Sequence, residues 1–254
     1  MTHAALGVLV GLVSGILAGL FGVGGGMVMT PGIQVLLGTA PIVALATPLP
    51  VILPTSLMGA YTYGRAREVD TWAAAWIVGP GILGAIAGAA LTDVVNTRLL
   101  LVVTAVLIGA QAIGILRGAG RRRTRIEREP GPAVFAGIGA AAGLISGLLG
   151  IGGGLIMVPM MAGVLGMPLK RVLGTSLLAI AALVIPGTIV HAALHHIDWA
   201  VFVVVAIGAV PGARIGARIA LGTRERTLRI LVGSFLLILA VVYGVSQLAA
   251  LHRA

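Results

Sequence analysis

Two short stretches carry most of the chemistry available to this chain, GLFGVGGGMVMTP at 19–31 and GLLGIGGGLIMVP at 147–159. Three consecutive glycines make a poor helix interior, each costing about 1 kcal/mol relative to alanine. An apolar helix should break there. Backbone groups freed by such a break are not tolerated against hydrocarbon and must face protein or a water-filled cavity. Thr30 followed by Pro31 reads as an N-cap and first helical residue, opening a half-helix toward Gly38. A helix start offers unpaired N–H groups and a partial positive charge, which suits an anion. Gly24, Gly25, Gly26 and Thr30 in the first stretch, with Gly152, Gly153 and Gly154 in the second, are therefore candidate anion contacts on two helix ends that can face each other. Small residues also permit close helix crossing in membranes, but a triple glycine followed by proline, twice at one spacing, points to a break.

Other polar groups inside apolar runs are candidates because burying them in a membrane is costly. Arg214, in PGARIGARIA, can hold an anion bidentately or take part in snorkelling or an internal ion pair. Arg218, one turn nearer the helix end, reads as snorkelling. Thr47, Thr175 and Ser176 can donate hydroxyl hydrogens to an anion, whereas Thr55 and Ser56 are expected to bond back to the preceding helical turn. Gln34 is a weaker candidate, since Ala162 occupies the matching place in the second stretch. His191 and His195 share a helix face by i, i+4 spacing, too few ligands for a metal site. Asp70 and Asp198 each stand before a new apolar run, as helix N-caps do.

These residues sit in a duplicated frame. At an offset of 128 residues, 11–70 matches 139–198 at 18 of 60 positions without a gap. Shared Gly, Ala and Leu bias would not align Pro31 with Pro159, Thr47 with Thr175 and Asp70 with Asp198. The first repeat covers 1–116, a basic connecting loop 117–132, and the second repeat 133–254. Apolar runs fall at 4–21, 42–62, 72–91 and 98–116, then at 133–149, 172–195, 199–221 and 227–248, with a short run after each break. The expectation is an all-α polytopic membrane protein of about eight long apolar helices plus two half-helices.

Composition agrees: 59% of residues are apolar, 9% are charged and the mean hydropathy is +1.13. The net charge of +10 lies in loops and helix ends, as topogenic charge does, and does not form the basic stripe of a nucleic-acid module. With the central loop in the cytoplasm, an odd number of crossings per repeat puts Arg65, Arg67, Lys170, Arg171, Arg214, Arg218, Arg224, Arg226 and Arg229 on its side, leaving only Arg98 and Arg253 across the membrane. Positive-inside counting thus favours inverted repeats. The N-terminus lacks the basic region and cleavage site of a secretory peptide, so its first apolar run is expected to stay. Cysteine is absent, and no nucleophile triad or metal-ligand cluster can be assembled, so no cofactor and no enzymatic activity are expected.

In these motifs, 22-GVGGGMVMTP-31 with Thr47 and 150-GIGGGLIMVP-159 with 174-GTS-176, the chain resembles the TauE/SafE family over essentially its whole length. The resemblance implies a transporter, usually an exporter, of sulfite or small organosulfonates such as sulfoacetate across the cytoplasmic (inner) membrane. It departs from internal symmetry at Ala46-Thr47-Pro48 against Gly174-Thr175-Ser176, and in Pro48, Pro50 and Pro54, so the halves contribute unequally. A small anion and membrane lipid are the expected partners, a homodimer stays open, and a passive channel or a non-catalytic membrane scaffold are the alternatives.

Overall fold

The computed structural model describes residues 2–91, 106, 109, 112–117, 131–149 and 153–251. Most of the run expected at 98–116 and nearly all of the connecting loop lie outside the described residues. Among the described residues every regular element is helical. The first half has α1 (Thr2–Phe21), α2 (Gly26–Leu36), α3 (Pro41–Ala46), α4 (Pro48–Arg65) and α5 (Thr71–Leu91). The second has α6 (Pro132–Leu149), α7 (Gly154–Pro159) running into a π-helical turn (Met160–Val164), α8 (Leu169–Ala193), α9 (Trp199–Gly222) and α10 (Glu225–Leu251). Among the described residues five helical stretches are long and apolar enough to cross a membrane: Ala4–Phe21, Ile42–Arg65, Thr71–Gly88, Leu169–Ala193 and Trp199–Gly222. The run expected at 42–62 is divided at Thr47, where Pro48, Pro50 and Pro54 withdraw backbone donors from the start of α4.

The two halves interlock. The first helix of each half packs along a later helix of the other: α1 on α9, and α6 on α5. Glycine makes these contacts possible, because a side chain on Gly11, Gly15 or Gly19 would overlap the carbonyl oxygens of Val205, Ala209 and Ala213. On α6, Gly139 and Gly143 stand in the same relation to Ile77 and Gly81 of α5. Four of the five contacts pair at the 128-residue offset, Gly11 with Gly139 and Gly15 with Gly143. In a bilayer, where lipid is as apolar as leucine, such backbone approach supplies the dispersion contacts that hold helices together.

At the centre α4 packs against α8, its counterpart, in the opposite direction. Thr47 at the start of α4 accepts a hydrogen bond from the Asp198 N–H beyond the end of α8, at 3.2 Å. Thr175 near the start of α8 accepts one from the Asp70 N–H beyond the end of α4, at 2.9 Å. Each aspartate then caps the following helix: Asp198 Oδ1 accepts from the Ala200 and Val201 N–H groups, and Asp70 Oδ1 from that of Ala73. Among the described residues two outside glycine take left-handed backbone, Arg67 (φ 59°) and His195 (φ 55°), and they too are 128 residues apart.

Candidate functional site

Each break turns the chain back along the helix it leaves. After Phe21 the backbone folds so that Gly25 lies against Ser14 and Ala18, Gly32 against Val10, and Leu37 against Gly7. α2 therefore starts beside the body of α1, inside the thickness of the bundle. In the second half Gly153 lies against Ala142, the residue that matches Ser14. The half-helix begins five residues earlier than expected, capped at Gly25 and not at Thr30: Gly25, at φ 81°, ends the break in left-handed backbone, and α2 opens at Gly26. Pro31 then falls inside α2. Thr30 is not a cap, and its hydroxyl donates to the Gly26 carbonyl at 2.9 Å.

The two breaks touch. A carbon added to Gly154, the first residue of α7, would stand 2.8 Å from Val23 Cα and 3.0 Å from the Gly22 carbonyl oxygen. Gly22–Gly26 and Gly153–Gly154 are buried together, and Gly152 lies outside the described residues. No side chain caps the start of α2 or of α7. Between them stand Ile52 and Ile180, matched residues of α4 and α8, whose methyl groups would be 3.3 and 3.1 Å from a carbon on Gly24. Both isoleucines are fully buried. The arrangement is two uncapped helix starts aimed into the interior and closed over by an apolar pair.

Ser176 joins this cluster, its hydroxyl donating to the Gly22 carbonyl at 2.9 Å and sharing the Leu173 carbonyl at 3.0 Å. Tyr63 donates to the Gly19 carbonyl at 2.9 Å, tying α4 to the approach to the first break. Thr47 and Thr175, also fully buried, sit instead at opposite ends of the α4–α8 pair. Arg214 is not among these residues. Gly212, Ala213, Gly216 and Ala217 turn inward, whereas Arg214 and Arg218 are exposed on the far side of α9. Gln34 is likewise exposed. The expected His191–His195 face does not form, because α8 ends at Ala193 and His195 turns into left-handed backbone; His191 meets His196 instead, Nδ1 to Nδ1 at 3.2 Å. Among the described residues no three His, Cys, Asp or Glu side chains gather as a metal site.

Ile52, Ile180 and Tyr63 were not singled out from sequence. The isoleucines carried one available signal, identity at the 128-residue offset; Tyr63 matches His191 and carried none.

The model of the family described as "Sulfite exporter TauE/SafE" matches residues 7–243, which include both breaks and all the helices described above except the ends of α1 and α10. The chain belongs to the TauE/SafE family. Its similarity to curated proteins named as probable membrane transporters is spread along the molecule. It is 29% identical over 237 residues to the probable membrane transporter protein YunE of Bacillus subtilis, covering 84% of this chain and 85% of that one. It is 31% identical over 220 residues to YdhB of the same organism, likewise named a probable membrane transporter protein, with 83% and 88% covered. A probable membrane transporter protein of Xylella fastidiosa shares 26% over 213 residues, with 81% and 80% covered. No solved structure matches. Family and helices together make this a multi-pass membrane protein and a membrane transporter.

Proposed function

We propose that the chain is a secondary transporter that exports a small sulfur oxyanion or organosulfonate, of the sulfite or sulfoacetate kind, across the cytoplasmic membrane. The observation that carries this reading is the meeting of two uncapped helix starts at the buried breaks. The dipoles of two short helices whose starts no side chain caps favour a compact anion there, and a site at the interface of two repeats is a recurring transporter design. The antiparallel packing of α4 on α8 supports reading the repeats as inverted, with Arg65, Arg67, Lys170 and Arg171 at one cytoplasmic end. There Arg171 stands 3.9 Å from Asp70, and Lys170 donates to the Leu221 carbonyl.

Outward movement of an anion is assisted by a negative-inside potential, about 2.3 kcal/mol per charge per 100 mV, so export needs no buried carboxylate to carry a coupling proton. Gly24, Gly25, Gly26, Gly153, Gly154 and Ser176 are the proposed contacts, with Ile52 and Ile180 parting to admit the substrate. The test is flux into proteoliposomes containing the purified chain, with sulfite, sulfoacetate, thiosulfate, sulfate and chloride compared. Saturable flux of a sulfur oxyanion or sulfonate, well above chloride, is expected. Flux that rises linearly without saturating would mark a passive channel, and no oxyanion flux would end the reading.

A further inference from the structure

Nearly every buried hydroxyl on these helices has a partner. Ser14 donates to the Val10 carbonyl, Thr55 to that of Val51 at 2.6 Å, and Ser176 to Gly22, while Thr47 and Thr175 accept from the aspartate N–H groups. Among the described residues Ser56 is the exception. It is fully buried on α4 and its Oγ makes no hydrogen bond. A preceding helical turn offers a serine a carbonyl to bond back to, and Thr55 beside it takes that option. Ser56 does not.

Its place on α4 says what the hydroxyl is near. Residues four apart on a helix share a face, so Ser56 lies one turn from Ile52, the residue that closes over Gly24. Tyr63, roughly two turns further along the same stripe, bonds to the Gly19 carbonyl at the entrance to the first break. The residues flanking Ser56 on both sides therefore touch the break or its approach. The matching position in the second half is Val184, so this polar atom is placed once and not twice.

We propose that Ser56 is a ligand of the transported oxyanion, donating its hydroxyl hydrogen to a sulfur-bound oxygen when Ile52 and Ile180 part; the assignment rests on the transport reading above. An unpartnered buried hydroxyl is a standing cost to the closed state, and an anion held by the two helix starts would remove it. The asymmetry also gives the pocket an orientation, with a hydroxyl donor on the α4 side and an apolar wall at Val184.

The experiment compares wild type, Ser56→Ala, Ser56→Cys and Thr55→Ala, measuring the half-saturation of flux for the preferred oxyanion and thermal unfolding of the purified chain. Ser56→Ala should raise half-saturation about tenfold, the scale of one lost hydrogen bond to a charged group. Its unfolding midpoint should stay level or rise, because no native bond is lost. Ser56→Cys should fall between, and Thr55→Ala should keep the wild-type half-saturation. Unchanged half-saturation in Ser56→Ala would overturn the assignment and leave transport standing. A lowered midpoint without the affinity loss would make the hydroxyl structural and overturn it as well. If wild type carries no oxyanion at all, both readings fall together.

Discussion

The two halves share a frame and differ in how they furnish it. The frame is made by backbone approach: the glycines of α1 against α9 and those of α6 against α5 obey one offset. So do the Thr47–Asp198 and Thr175–Asp70 bonds. The furnishing does not. Gly25 ends the first break at φ 81°, but Gly153 precedes α7 at φ −43°, and α7 runs on into a π-helical turn where α2 stays α-helical. Asp70 has Arg171 beside it, whereas the residue matching Arg171 on the other side is Val43. Near Asp198 a cavity of about 290 Å³ opens between Ala4, Thr39, Val201 and Val204. The matching face is occupied by Trp72, stacked edge-on to Phe135 at 5.7 Å and to Trp76 at 6.3 Å. Symmetry of the main chain can build a site at the axis, while asymmetry of the side chains gives that site a direction and a polarity.

The strongest way to break the comparison is at the glycines themselves. Gly25→Leu and Gly153→Leu should each abolish transport while the chain still inserts, since neither changes the apolar runs that direct insertion. The alanine versions should separate the halves. At Gly25 alanine must adopt left-handed backbone, a strain of about 1–2 kcal/mol, with its methyl 3.0 Å from the Ser14 carbonyl oxygen. At Gly153 the backbone is already right-handed, and only contact with Ala142 at 3.0 Å resists. Gly25→Ala should therefore lose more flux and more thermal stability than Gly153→Ala. Equal losses in the two variants would mean that the breaks are equivalent in the working protein.

A smaller effect tests the bonds that tie the halves. Thr175→Val leaves the Asp70 N–H without its acceptor, and Thr47→Val does the same to Asp198. Each should cost about 1–2 kcal/mol of stability, read as a lower denaturant midpoint. Thr175→Val should cost more, because its bond is shorter, 2.9 against 3.2 Å, and because Asp70 also faces Arg171. The reverse order would place the firmer junction at the Asp198 end.

What could be read from sequence was whatever a few neighbouring residues decide. Triple glycines interrupt an apolar helix wherever they stand, and aspartates before an apolar run cap it, so the breaks and the roles of Asp70 and Asp198 were legible. The start of α2 was misplaced at Thr30 because Thr-Pro is a sound local signal, and the left-handed turn at Gly25 simply opened the helix earlier. The hydroxyls of Thr47 and Thr175 were recognised as special but not for the partners they have. Those partners are 151 and 105 residues away, fixed by how α4 lies on α8 and by nothing near either threonine. Ser56 was passed over for the same reason: back-bonding is the local default, and only the folded helix reveals that it was not taken.

Arg214 gives the smallest expected effect and the sharpest control. A guanidinium in an apolar run invites a role in anion binding, and its sequence counterpart is Ile86, so it fits the theme of unequal halves. Yet α9 is oriented by Gly208, Gly212 and Gly216, each in backbone contact with α1. Arg214 lies off that stripe and is exposed, together with Ile215, on the outer side. From there its long side chain can reach the headgroups along the helix surface but not the breaks. Arg214→Gln should accordingly change the half-saturation of flux by less than about twofold, well short of the tenfold step that 1.4 kcal/mol of lost binding would bring. A tenfold weakening would require α9 to turn about its axis against α1 during transport. The interlocked glycines forbid that in the closed arrangement, so such a result would locate the moving part of the cycle at the α1–α9 contact and not at the isoleucine pair.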